Sequence, residues 1–116
     1  MLSKERRIKR KDFSNILSKG IRFNSPKFLL YVVKNEENTA KNKTKIAFSV
    51  SKKVYPRATD RNKYRRRGYA SIQPVIEKIK PSHYLFFVFK KAGAGASFEA
   101  IESEVLKLLS EAHVLE

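Results

Sequence analysis

The chain has 116 residues and a formal net charge of +15, from 26 Lys and Arg against 11 Asp and Glu. That balance points to a nucleic acid or another anionic surface as partner, while the absence of Cys excludes a disulfide framework and a thiolate zinc site and fits a cytoplasmic protein. No apolar stretch approaches the ~20 residues that span a bilayer, and the start MLSKERRIKRKDF lacks the apolar core of a secretory signal.

With 41% hydrophobic residues, the chain can build one core, and its length predicts one domain over residues 1–116. Residues 1–10 read as a short basic tail. Phe13, Ile16 and Leu17 then recur at helical spacing, and Gly20 supplies a C-terminal stop. Residues 21–24 suit a short strand, and FLLYVV at 28–33 is a strand apolar on both faces. The polar segment NEENTAKNK at 35–43 reads as a loop between strands.

Residues 45–51 alternate. Ile46, Phe48 and Val50 face one way; Ala47, Ser49 and Ser51 face the other. The second set is small and polar, so one sheet face is expected to be partly open there. A helix is predicted from about residue 59 to 73, where Pro74 interrupts it and opens a short helical piece, PVIEKI. YLFFVF at 84–89 reads as a central strand buried on both faces. After a small-residue linker, KAGAGAS at 91–97, Ser97 can cap a last helix. Its one face carries Phe98, Ile101, Val105, Leu108 and Ala112, and Glu99 and Glu102 lie near its positive end. That helix is acidic, so the sites are expected elsewhere.

The most informative stretch is SVSKKVYPRATDRNKYRRR, residues 49–67. Lys52, Lys53, Arg57, Arg61, Lys63, Arg65, Arg66 and Arg67 stand against one acid, Asp60. Cations that close together repel one another, and a polyanion relieves this by releasing its counterions as they neutralise its phosphates. A membrane surface would need a wide apolar face beside the cations. Between residues 57 and 67 only Ala58 and Tyr64 are even partly apolar. The remaining alternative is a solvated basic face kept for solubility.

A catalytic constellation is not evident. His83 and His113 are the only histidines, and a surface or capping role suits both. No HxxxH pair or close carboxylate cluster offers metal ligands. Asp12 and Asp60 read as helix-start acids. The GAG near residue 94 lacks the Lys of a phosphate-binding loop.

The order of elements, the phrase SVSKK after a strand, and the Arg61-Asn62-Lys63 triplet opening a basic helix resemble the protein component of bacterial ribonuclease P. RIKRKDFSNILSKG at 7–20 is similar to that family's first helix, and FLLYVV to its tyrosine-bearing strand. The resemblance spans residues 7–109. It implies a single α/β sandwich: a four-stranded mixed sheet with three helices and a left-handed crossover, in the ribosomal-protein-S-five-domain-2-like class. It further implies that an RNA subunit holds Mg²⁺ and removes the 5′ leader of precursor tRNA, the protein binding no cofactor of its own. On this likeness Arg61, Asn62, Lys63, Arg65 and Arg66, with Lys52 and Lys53 at their approach, would contact ribonuclease P RNA, and Arg57 of the same basic run is expected to join them. Phe13, Leu17 and Tyr31 would line a cleft for the leader, and the open strand face of Ala47, Ser49 and Ser51, read from the alternation itself, could provide its floor. A monomer in a 1:1 ribonucleoprotein is implied.

The residues alone reach part of this. Phe13 and Leu17, four apart, share a helix face, and aromatics in a basic groove commonly hold single-stranded nucleic acid. Phe13, Leu17 and Tyr31 also suit an ordinary core. Differences from the family pattern are Lys63 in place of Arg, Leu17 where an aromatic is frequent, Tyr69 where a cation is frequent, and Tyr64, Arg67 and Gly68 on the helix's buried side. Either Arg67 reaches solvent on its long stem or the helix bends near Gly68. Two other readings stand beside the leading one: a structural RNA-binding protein without a processing role, and a self-sufficient nuclease, which the missing acid and base groups disfavour.

Overall fold

Two long apolar segments set the architecture. β2 (Phe28–Lys34) and β4 (His83–Phe89) pair antiparallel along their whole lengths, with Tyr31 opposite Phe86. The computed structural model describes residues 3–34, 43–91 and 94–116. β1 (Ile21–Asn24) adds antiparallel to β2, and β3 (Lys45–Ser49) adds parallel to β4, giving the order β1-β2-β4-β3. β4 is thus central, as its continuous apolar run predicts. The helices are α1 (Phe13–Lys19), α2 (Ala58–Ile72) in the crossover from β3 to β4, and α3 (Phe98–Glu111).

Period-two alternation gives the sheet two different faces. Phe28, Leu30, Ile46, Phe48, Leu85 and Phe87 point to one side, where Tyr64 and Ile72 of α2 and Ile101, Val105 and Leu108 of α3 close the main core. Ser97 caps α3 as predicted, its hydroxyl accepting from the Ala100 amide at 3.2 Å. The opposite face carries a smaller cluster, in which Ile8, Ile16, Ala47 and Phe86 are buried and Phe13 and Tyr31 pack at the margin. α1 covers only part of that face.

Several boundaries differ from expectation. β3 stops at Ser49, two residues early, because the Ser51 carbonyl accepts from the Val54 and Tyr55 amides and turns the chain out of the sheet. α2 ends at Ile72, and Pro74 lies in the first turn of a 3-10 segment, Gln73–Lys78, where its missing N–H costs nothing. The predicted loop at 35–43 lies outside the described residues except for Lys43, as do Ala92 and Gly93 of the linker.

The N-terminal segment is not a loose tail. It forms two 3-10 turns, Lys4–Arg6 and Arg10–Asp12, and between them Arg7 bridges to Ile46 of β3 while Ile8 is buried. Nor does α2 break at Gly68. Arg67 lies over the Tyr64 ring, 5.0 Å from its centroid, and donates through Nη1 to the Ala96 carbonyl at 3.1 Å. Tyr64 in turn stacks on Tyr55 at 4.4 Å, and the Tyr55 hydroxyl accepts from the Gly95 amide. These departures from the family pattern fasten the approach to α3 onto α2.

Candidate nucleic-acid interface

A groove of about 1180 Å³ opens on the thinly covered sheet face, above β3. Its floor is Ala47 and Ser49 of β3 with Phe86 of β4; one wall is Phe13 and Leu17 of α1. The other wall is Asn62, Arg65, Arg66 and Tyr69 of α2, and Arg7, Ile8 and Arg10 close an end. Among the described residues no acidic side chain lines it. Phe13 stands edge-on to Phe86 with ring centroids 5.0 Å apart, and Leu17 is 51% exposed, an unusual state for a large apolar side chain beside so much aromatic surface.

The spacing of the α2 residues explains their convergence. Positions 62, 65, 66 and 69 follow the i, i+3, i+4, i+7 rule and share one helix side. Asn62 accepts from Arg65 Nη2 through Oδ1, which orients that guanidinium. Tyr69 reaches the sheet, its hydroxyl accepting from the Phe48 amide at 3.3 Å and its ring packing edge-on to Phe48 at 5.1 Å. An aromatic here therefore secures the wall to edge strand β3.

The triplet Arg61-Asn62-Lys63 does not act as a unit. Consecutive helical residues point about 100° apart. Arg61 turns back, its Nη1 donating to the carbonyls of Tyr55 at 3.0 Å and Pro56 at 2.6 Å, so it braces the loop before α2. Asn62 faces the groove. Lys63 is exposed and lies 5.8 Å from the Tyr64 ring centroid, away from the groove lining. Arg57 pairs with Asp60 at 3.1 Å at the start of the helix, while Lys52 and Lys53 are exposed on the turn after β3. Arg66 is exposed at the groove's rim.

Two of the five cleft residues fall elsewhere. Tyr31 lies one strand beyond the floor: the row across this face runs Arg22, Tyr31, Phe86, Ala47, and Tyr31 stacks on Phe86 at 6.0 Å instead of lining the groove. Ser51 leaves the sheet with the turn. Phe13, Leu17 and Ser49 are brought together as expected. The sequence did not single out Arg7, Ile8, Arg10, Tyr69 or Phe86 as site residues. Burial of Arg6 and Ile8 with Arg7 exposed between them is a strand-like alternation, and the lone apolar Ile8 among cations was its signal.

Among the described residues no three His, Cys, Asp or Glu converge on a possible metal site, and no helix is long and apolar enough to cross a membrane. His83 is a local cap, its Nδ1 2.9 Å from the Pro81 carbonyl. The chemistry on offer is charge, stacking and hydrogen bonding, without an acid–base pair.

Fold and groove together define a single-domain α/β protein with a basic groove on one face of its sheet. The family model described as Ribonuclease P matches residues 1–113, and the chain belongs to that family. It is 28% identical to the ribonuclease P protein component of a Cyanothece species, over 99% of this chain and 98% of the relative. It is 30% identical to that of a Nitratiruptor species, over 86% and 84%. The ribonuclease P protein of Staphylococcus aureus superposes with a TM-score of 0.83, 24% identical, covering 96% of this chain and 98% of that one, and shares the fold. The function is that of the protein subunit of bacterial ribonuclease P, which assists a catalytic RNA in maturing the 5′ end of tRNA.

Proposed function

We propose that the groove takes the 5′ leader of precursor tRNA as a single strand, and that the outer side of α2 meets the ribonuclease P RNA. On this reading Phe13, Leu17 and Ser49 receive bases above the buried ring of Phe86, and Arg7, Arg10, Arg65 and Arg66 receive the phosphates between them. Lys52, Lys53, Arg57, Lys63 and the outer rim of Arg66 face the RNA subunit, while Arg61 and Asn62 shape that surface from within. Tyr31 and Ser51 support the sheet and the turn without touching the leader. One copy acts per RNA, in the cytoplasm, and Mg²⁺ belongs to the RNA subunit.

The observation that carries this reading is the groove's composition. Arginines of the N-terminal segment at one end and of α2 along one wall border a floor of aromatic and small side chains. Sites for single strands combine a basic track with such platforms. The mechanism follows from charge and position. Two polyanions repel each other, and a cationic wall between them relieves that repulsion through counterion release. Holding the leader in the groove also fixes the strand on one side of the scissile bond, so the reacting phosphate reaches the RNA's catalytic centre at lower entropic cost. On this reading the chemical step belongs to the RNA, and the protein contributes charge and position.

The test is precursor-tRNA cleavage by a bacterial ribonuclease P RNA at low Mg²⁺, with and without this protein, beside dissociation constants for tRNA with and without leader. The protein is expected to restore cleavage and to favour leader-bearing tRNA. Restored cleavage with equal affinity for both substrates would assign the groove another role.

A further inference from the structure

Arg6 is the one charged side chain buried among the described residues, at 7% exposure. Its Nη1 donates to the Thr44 carbonyl at 3.5 Å, and its Nη2 lies 3.6 Å from Glu77 Oε1. Thr44 is itself fixed, its hydroxyl donating to the Lys80 carbonyl and accepting from the His83 amide at 3.1 Å. One guanidinium therefore joins the N-terminal segment to the starts of β3 and β4 and to the 3-10 segment after α2. A buried cation is tolerated only when partnered, and the planar Arg fork spans both partners where Lys, a point charge, would not.

The neighbours of Arg6 continue the attachment. Lys45 Nζ donates to the Glu5 carbonyl at 3.2 Å, Arg7 bridges to Ile46, and Ile8 is buried against Ile16, Ala47 and Phe86. The segment also carries Lys4, Lys9 and Lys11, and its Arg7 and Arg10 line the same groove as Arg65 and Arg66. Like charges at such range repel, so a strap this basic stays on a basic protein only if something latches it.

We infer that Arg6 is a positioning residue for leader binding: it latches the strap of residues 4–12 onto β3, so that Arg7 and Arg10 stand at the closed end of the groove. The inference rests on the proposed reading of the groove as the leader site. Arg6 does not line the groove, so its effect on the leader passes through the strap alone.

The experiment compares wild type, Arg6→Ala and Arg6→Lys in the holoenzyme reconstituted with a bacterial ribonuclease P RNA. Dissociation constants are measured for precursor tRNA with leader and for mature tRNA, and amide exchange is followed in free protein. Arg6→Ala is expected to speed exchange in the strap while β2 and β4 stay protected. Leader-bearing tRNA should bind about ten-fold more weakly, the scale of removing one hydrogen bond to a charged group, with mature tRNA unchanged. Arg6→Lys, which keeps the charge without the fork, should fall between. Equal losses for both tRNAs, a strap that exchanges as in wild type, or a loosened strap with intact leader preference would each overturn the inference. A wild-type holoenzyme without leader preference would instead remove the groove reading on which it rests, whatever the exchange data show.

Discussion

Gly68 of α2 lies directly on the ring of Phe48: a Cβ built there would sit 2.5 Å from Cδ1 and 2.8 Å from Cγ. The glycine lets the helix seat on the sheet at the strand that floors the groove. Phe48 has no room to yield, since it is buried and stacks on Phe87 at 4.6 Å with planes 7° apart.

Gly68→Ala is therefore expected to destabilise, although Gly in a helix interior ordinarily costs ~1 kcal/mol relative to Ala. Overpacking against an immobile ring costs about 1–3 kcal/mol and outweighs that gain. Thermal unfolding checks it: a fall of several degrees is expected, and a rise would show that α2 can lift off Phe48 freely.

Why this contact was invisible in the sequence is instructive. The alternation of Ile46 and Phe48 with Ala47 and Ser49 assigned the faces of β3 correctly, because a strand's period is two. The apolar run around Phe86 placed β4 at the centre of the sheet for the same reason. Which neighbour each face meets is a tertiary matter. Gly68 reads as a helix weakness until Phe48 is seen beneath it, and Tyr31 reads as a cleft residue until register places it one strand beyond. The groove joins residues 7–17, 46–49, 62–69 and 86, too distant in sequence for any local pattern to connect.

Arg61 and Arg65 separate support from contact. Arg61 braces the carbonyls of Tyr55 and Pro56, whereas Arg65 is held by Asn62 at the groove. Arg61→Ala should lower both stability, by about 1 kcal/mol, and affinity for the RNA subunit. Arg65→Ala should leave the melting temperature within a degree or two and weaken binding of leader-bearing tRNA. Melting curves beside the two binding constants decide the matter, and identical profiles for both variants would refute the division.

The cations on and before α2 should also appear in salt dependence. If about five phosphates of the RNA subunit are neutralised, log K falls against log[salt] with a slope of about −4. A titration of holoenzyme assembly across salt concentrations measures it. A slope near zero would reduce Lys52, Lys53 and their neighbours to solubilising surface.

Acid stability should trace to Glu104. Burial pushes its pKa up, but hydrogen bonds from Ser25 and from the amide and ammonium of Lys27 outweigh this and lower it overall. The Lys27 amide lies 2.9 Å from Oε1 and its Nζ 2.9 Å from Oε2. A depressed carboxylate stabilises the fold above its unfolded pKa of about 4.3, and that contribution is lost as pH falls through the folded value. Glu104→Gln should thus cost about 1–2 kcal/mol at neutral pH and progressively less below pH ~4. Parallel denaturant titrations of wild type and variant over that range give the answer; a constant difference would mean that the charge is irrelevant.

Leu17 offers the sharpest test of the groove, because a variant can gain function there. It stands half-exposed on the wall opposite Arg65, with Phe13 one turn away and space before it. An aromatic ring at this point would add a platform where the present side chain offers only an apolar edge. Base–aromatic stacking is worth ~1–3 kcal/mol, and replacing an apolar group should capture the low end, so Leu17→Phe is expected to bind leader-bearing tRNA up to about five-fold more tightly. Mature tRNA should bind as before. Tyr31→Ala, measured alongside, should instead lose melting temperature, since its ring packs on Phe86 and against Gly20, and should keep most of the leader preference. A gain from Leu17→Phe that is equal for both tRNAs would place the leader elsewhere. A collapse of leader preference in a well-folded Tyr31→Ala would move the path one strand toward β2.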